Sequence, residues 1–240
     1  MLTYSNESTA VPIITIDGPS GAGKGTVASL LAQRLHWHFL DSGAIYRCLA
    51  YLVHRDGVAV DDISAIVAIA SSFKPRFICF NDKHYAVWLD NEDVTDTIRD
   101  EIIGQVASKI SGHNEVRAAL FDCQRLFAQE PGLIADGRDM GTVIFPDADL
   151  KIFLDASPEE RARRRYLQLT HAGQTADLSQ ITQELRLRDA RDREREVAPL
   201  RPASDAVVID TTNLDVKNVV NQVFELAAIN HLVTIQQAQA

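Results

Sequence analysis

The stretch Gly18-Pro19-Ser20-Gly21-Ala22-Gly23-Lys24-Gly25-Thr26 decides how this chain is read. Before it runs Ile13-Ile14-Thr15-Ile16-Asp17, a short β-branched segment of the kind that forms a buried strand. After it, Val27, Leu30, Leu31 and Leu35 fall on one face of a helix that opens at Lys24. Strand, glycine-rich turn and helix in that order make a cradle for phosphate. Small residues let successive backbone N–H groups turn inward around phosphate oxygens, and the helix N-terminus adds favourable partial charge. Lys24 adds a mobile cation. The whole loop from Gly18 to Thr26 is therefore the expected nucleotide-phosphate site.

Outward from the loop, the pattern continues as an α/β fold. Phe39-Leu40 reads as a second strand, with Asp41 or Ser42 capping a helix from Ala44 to about His54. Phe77-Ile78-Cys79-Phe80, a turn at Asn81-Asp82, and Tyr85 to Leu89 read as a small antiparallel hairpin inserted in that pattern. Residues 98–128 are read as helical. Leu133 to Asp136, Lys151 to Asp155 and Ala206 to Asp210 are further strands, each ending in Asp. Val216 to about Ile229 closes the chain as an amphipathic helix. A parallel sheet wrapped by helices is expected, with excursions at about 60–100 and 157–197.

Composition narrows the function. The chain has 240 residues, enough for one sizeable domain, and a net charge of -9, which argues against non-specific nucleic-acid binding. No apolar run is long enough for a membrane span. Met1 to Pro12 reads as a loosely ordered polar arm and lacks a secretory pattern. The three scattered cysteines, Cys48, Cys79 and Cys123, suit reduced thiols in a cytoplasmic protein, expected to be a monomer. Residues 161–201 carry 10 arginines against 6 acids. Such a segment suits a small anionic partner, and it also suits a solvated helix with internal ion pairs.

The phosphate loop departs from its usual pattern at one point. Ser or Thr normally follows the lysine and contacts Mg2+, whereas here Gly25 follows and Thr26 comes one later. This Gly-Lys-Gly-Thr form resembles the nucleoside monophosphate kinases. No direct Mg2+ ligand is assigned; Asp136 and Thr26 are the candidates, through water. Three more stretches narrow the resemblance: Leu40-Asp-Ser-Gly-Ala-Ile-Tyr-Arg47, Ala135-Asp-Gly-Arg-Asp-Met-Gly-Thr142, and Arg188-Asp-Ala-Arg-Asp-Arg-Glu-Arg195 followed by Val-Ala-Pro-Leu. With the loop, they resemble the bacterial-type cytidylate kinases over roughly residues 11–230.

The resemblance implies a single P-loop kinase domain. Its core covers about 11–41, 131–156 and 198–232, its monophosphate-binding region about 42–130 with a small antiparallel sheet, and its Arg-rich lid about 157–197. It implies ATP with Mg2+ as phosphoryl donor, CMP or dCMP as acceptor, and neither nucleic acid nor membrane as partner. Lys24, Arg138, Arg188 and Arg191 are the implied catalytic residues. Arg47, Arg138 and Arg188 would clamp the acceptor phosphate, with Arg191 joining from the lid or making an ordinary helix ion pair. Ser108, Arg117 and Asp139 would contact the cytosine, and Ser42, Asp192 and Arg195 the sugar and phosphate. Adenine is expected near the loop after Asp210, by analogy of fold alone.

The chemistry agrees with that set. A monophosphate is already an oxyanion near neutral pH, so transfer needs alignment and charge neutralisation more than a strong base. Arginine does this best, through an always-charged, two-pronged donor. Competing expectations are a kinase that also takes UMP, a shikimate or dephospho-coenzyme A kinase, an ATP-dependent switch, and an RNA-binding module. The last would need aromatic platforms in the basic stretch, where only Tyr166 lies.

Overall fold

In the computed structural model, which describes residues 11–79 and 85–233, the chain starts with β1 (Ile13–Asp17), turns through the glycine loop and enters α1 (Lys24–Leu35). It continues through β2 (His38–Asp41), α2 (Ser42–Arg55), α3 (Ile63–Ala70), β3 (Arg76–Cys79), β4 (Tyr85–Leu89) and β5 (Glu92–Asp93). A short 3-10 turn at Thr97–Arg99 leads to α4 (Glu101–Ile110) and α5 (Asn114–Arg125). The second half holds β6 (Leu133–Gly137), a π turn at Met140–Ile144, β7 (Leu150–Asp155), α6 (Pro158–His171), α7 (Leu178–Glu194), β8 (Val207–Asp210) and α8 (Val216–Ile229).

Five strands form one parallel sheet in the order β2-β6-β1-β7-β8. Parallel neighbours need crossover connections, and the helices in those crossovers cover both faces. The two-residue period of β6 displays the result. Leu133 and Ala135 pack with the α2, α4 and α5 side of the core, while Ile134 between them packs with Val27, Leu31, Val223 and Phe224 of α1 and α8. Each fully buried aliphatic chain contributes about 1.5–3 kcal/mol. Arg34 of α1 adds a cation over the Phe224 ring at 3.7 Å, tying α1 to α8.

Aspartates start many of the helices. Asp41 accepts from the Ala44 amide at 2.9 Å, which settles the capping choice at α2, and Asp62, Asp100, Asp177 and Asp215 do the same for α3, α4, α7 and α8. Helix α1 differs: Gly23 precedes it and no side chain caps it, so its first amides stay open. The helical run expected over 98–128 is two helices broken at Ser111–Gly112–His113, where His113 turns extended. Helix α3 escaped the sequence reading because Ile63–Ala70 is apolar almost throughout and carries little periodicity.

The excursion between α3 and α4 is a three-stranded antiparallel sheet, β3-β4-β5. It packs on β2 through rings, with Phe39 and Tyr85 4.8 Å apart and Phe77 bridging to Phe127 at 5.4 Å. The expected turn at Asn81-Asp82 lies outside the described residues, as do residues 1–10 of the arm expected over Met1 to Pro12.

The β1–α1 turn depends on a backbone approach that only glycine permits. Gly18 has φ of +146°, and a Cβ there would meet the Leu154 carbonyl oxygen of β7 at 2.0 Å. Because the obstacle is backbone, it cannot swing aside. Gly18→Ala is expected to cost about 2–4 kcal/mol, read as an earlier midpoint in urea unfolding at unchanged slope.

Candidate active site

All five parallel strands place an aspartate at or next to their carboxyl ends: Asp17, Asp41, Asp136, Asp155 and Asp210. Ligands of open α/β sheets bind beyond that edge, and the glycine loop lies there too. Lys24 is buried; its Nζ donates to the Pro19 carbonyl at 3.1 Å and lies 3.8 Å from Asp136 Oδ1. Burial and the nearby Arg138 both push the Lys24 ammonium below its usual range. Burial also pushes the Asp136 carboxyl up, with Lys24 opposing and Asp41 adding to the rise. The glycine that replaces the usual hydroxyl residue has a structural counterpart: a Cβ on Gly25 would stand 3.2 Å from Asp136 Oδ2. Asp136 therefore takes up the space beside the loop, and Thr26 sits exposed at its mouth.

Near the loop stands a group of arginines held by one acid and several backbone carbonyls. Arg138 follows β6 and donates through Nε to Asp192 of α7 at 3.0 Å. Burial would raise the Asp192 carboxyl, but Arg138, Arg195 and Arg188 together hold it below the usual range. Arg188 forms no ion pair among the described residues. Burial first, then repulsion from Arg138, Arg47 and Arg191, lowers its guanidinium to about 10. Arg47 of α2 rests on the carbonyls of Ile98 and Asp100, at 2.7 and 3.3 Å. Arg191 is set apart: it is exposed, and its Nε reaches the Leu187 carbonyl of its own helix at 3.3 Å.

A second group lies beside the first. Arg117 of α5 is ion-paired through Nη2 with Asp139, and both side chains are nearly buried. Tyr46 of α2 stands under Arg117, with the guanidinium 5.8 Å from the ring centre. Arg195 borders the pair, and its buried Nη2 has no hydrogen-bond partner among the described residues. Ser108 is half-buried one helix away, and its carbonyl accepts from the Ser111 hydroxyl at 3.1 Å. Ser42 is buried at the start of α2 and donates to Gln124 Oε1 at 2.6 Å.

Several supporting residues were not legible in the sequence. Asp17 accepts from the Met140 and Gly141 amides, both at 2.8 Å, and so fixes the turn that carries Arg138 and Asp139. Tyr85 of the small sheet donates its hydroxyl to Asp41, joining that sheet to the strand edge. Thr211, after β8, donates to the Ala22 carbonyl of the loop at 3.1 Å, and Arg164 of α6 grips Thr211 in turn. Arg161 of α6 is buried against both the loop and α7. Pairings across 28 to 189 positions leave no local pattern, so no spacing announces them.

A family model described as cytidylate kinase matches residues 14–229. The chain belongs to the cytidylate kinase family. Relatives named cytidylate kinase agree along nearly the whole length: one from Stutzerimonas stutzeri is 51% identical over 219 residues, covering 91% of this chain and 96% of its own. One from Nitrosococcus oceani is 52% identical over 217 residues, covering 90% and 96%. All four motif blocks quoted above fall within the span that the family model matches.

The turn held by Asp17 should report itself through pH. Burial raises the Asp17 carboxyl to about 6 from 3.8, with the two amide bonds partly opposing. An acid whose folded pKa is raised adds stability below its unfolded pKa and loses that contribution as pH climbs through the folded value. Relative to Asp17→Asn, the ligand-free protein should lose about 2 kcal/mol between roughly pH 4.5 and pH 7, read by urea unfolding at each pH. A difference that does not change with pH would show that Asp17 is already ionised throughout.

Proposed function

We infer that this chain transfers the γ-phosphoryl group of ATP to CMP or dCMP, giving ADP and CDP or dCDP. The observation that carries this reading is the family match, combined with a buried Arg117–Asp139 pair beside a cluster of arginines facing the phosphate loop.

In this reading the backbone N–H groups of the loop from Gly18 to Thr26, Pro19 having none, and the Lys24 ammonium hold the ATP phosphates, at a helix start that no side chain caps. Arg47, Arg138 and Arg188 receive the acceptor phosphate. Arg188 supports this most directly, since burial and three neighbouring arginines disfavour its charge and a phosphate dianion would offset both. Arg47 would exchange two carbonyl partners for phosphate oxygens. Arg191 reaches the transferring phosphate only if α7 or its own side chain moves, which fits residues 157–197 acting as a lid, with 42–130 as the acceptor region and the remaining sheet as core. Closing such a lid excludes water and limits wasteful hydrolysis.

Among the described residues no three acids are grouped to ligate a metal directly, which suits an Mg2+ held through water beside Asp136, whose buried carboxylate is costly without a further cation. Asp136 would hold the ion through water, with the exposed Thr26 hydroxyl nearby. An ion held there would supply positive charge to offset what develops on the ATP phosphates.

Base choice rests on Asp139. Its carboxylate can accept from the cytosine amino group while Arg117 and Ser108 donate to the ring's acceptors; uracil would present an acceptor to the same carboxylate. Asp192, Arg195 and Ser42 would meet the sugar and phosphate. One chain supplies every group named, which supports a monomer, and the free thiols of Cys48 and Cys123 suit a reducing cytoplasm.

An ADP-release assay with ATP and Mg2+ tests the reading against CMP, dCMP, UMP, AMP and no acceptor. Turnover with CMP and dCMP, weak turnover with UMP and almost none without acceptor is expected. ADP release that ignores the acceptor would overturn it. In the same assay Asp139→Asn should narrow the CMP-over-UMP preference by about tenfold or more. Equal losses on both substrates would remove Asp139 from base selection. Lys24→Ala should lower kcat by about 100-fold or more with its circular dichroism spectrum unchanged.

A further inference from the structure

Arg161 takes no part in the roles assigned above, yet it is the largest fully buried side chain among the described residues, at 1% exposure. A buried guanidinium must spend its donors, and this one spends them on three different segments. Nε donates to the Ala156 carbonyl at 2.9 Å, at the junction of β7 and α6. Nη1 donates to the Ser20 carbonyl of the phosphate loop at 3.0 Å and to Asp189 Oδ1 of α7 at 3.1 Å. Nη2 completes a two-pronged pair with Asp189 Oδ2. The loop is seated directly on this residue: Gly21 has φ of +81°, and a Cβ there would come within 3.1 Å of Arg161 Cβ.

The partner's position on α7 gives this contact its meaning. Asp189 follows Arg188 directly, and Asp192 stands three residues on, along the same helix face. Apolar contact between α6 and α7 is slight, a small cluster of Ala162, Ile181 and Leu185 with three half-buried neighbours. Such a contact, even with the exposed Arg186–Glu159 pair at 2.8 Å beside it, restrains rotation about the helix axis less than a buried fork does. A planar fork against a carboxylate fixes both distance and rotation. Turning α7 by one residue would swing Arg188 by about 100° and pull Asp192 off Arg138.

We propose that the Arg161–Asp189 pair is a positioning element for phosphoryl transfer, locking the rotation of the arginine-bearing helix to the phosphate loop. The pair touches neither nucleotide. It acts through Arg188 and Asp192, which it aims at the acceptor phosphate, and through the Ser20 carbonyl, which makes loop shape and α7 orientation one mechanical unit. This role rests on the kinase reading given above.

The test compares the full-length wild type, Asp189→Asn, and the double variant Arg161→Met/Asp189→Leu. Replacing a buried ion pair with apolar residues of similar volume leaves stability roughly unchanged or improves it, so the double variant separates holding the fold from aiming the arginines. Thermal unfolding, kcat and KM for CMP, and ADP release without acceptor are measured for each. The double variant should unfold near the wild-type temperature, keep KM within about threefold, and lose about 30-fold or more in kcat, because misaligned groups forfeit rate before affinity. The share of ADP released without CDP should rise. Asp189→Asn, which keeps the side chain's shape but weakens the fork, should show the same split at a temperature where it is folded. Wild-type kcat in either folded variant would overturn the proposal, as would losses confined to stability. Failure of the wild type itself to phosphorylate CMP would overturn the kinase reading, and this proposal with it.

Discussion

The molecule must gather positive charge where two polyanions meet and still remain folded when neither is bound. At the sheet's carboxyl edge, burial and the charge of Arg138 lower the proton affinities of Lys24, Arg188 and Arg195. Like charges packed at partial burial repel strongly, and bare burial of each is costly. The solution visible here is interleaving. Asp192 sits by Arg138, Asp136 by Lys24, and Asp139 by Arg117, so most of the cations have an acid nearby. Arg188 has Asp192 in its surroundings but makes no ion pair among the described residues, and burial beside other arginines lowers its proton affinity.

The fold delivers those acids through a simple device. A parallel sheet brings all its carboxyl ends to one edge, and an aspartate at the end of each strand therefore lands in one place. The five are not equivalent once there. Asp41 caps α2 and holds Tyr85, and Asp17 fixes the turn after β6. Asp136 faces the lysine, while Asp155 and Asp210 secure the chain that leads into α6 and the loop at Thr211. One residue type at one structural position thus serves as cap, brace and counter-ion, according to which backbone amides and cations surround it.

How much of this was legible in the sequence depended on range. The loop, the five strands and the closing helix were readable because their signals lie within a dozen residues: β-branched runs, glycine spacing, a single apolar face. The break at 111–113 was missed because Ser and Gly there carry too weak a stop signal inside a long helical pattern. In the site, motif blocks pointed to Arg47, Arg138, Asp139 and Arg188, while Ser108 and Arg117 came only from resemblance, being ordinary helix residues otherwise. Arg161 was invisible as anything but one arginine of ten, since burial and the Asp189 pairing exist only after α6 and α7 fold back on each other. Exposure separates it from Arg163, which pairs within its own helix turn and remains on the surface.

If the arginine cluster exists to bring two sets of phosphates together, a ligand that joins them covalently reports on it most directly. Isothermal titration with an adenosine–cytidine polyphosphate should give one site per chain and an affinity about 100-fold or more above that of CMP, because linkage converts two binding events into one. Arg188→Ala should erase most of that gain while leaving ATP binding nearly unchanged. A linked ligand that binds no tighter than ATP alone, or equal affinity in the Arg188→Ala protein, would contradict the convergence of both nucleotides on this cluster.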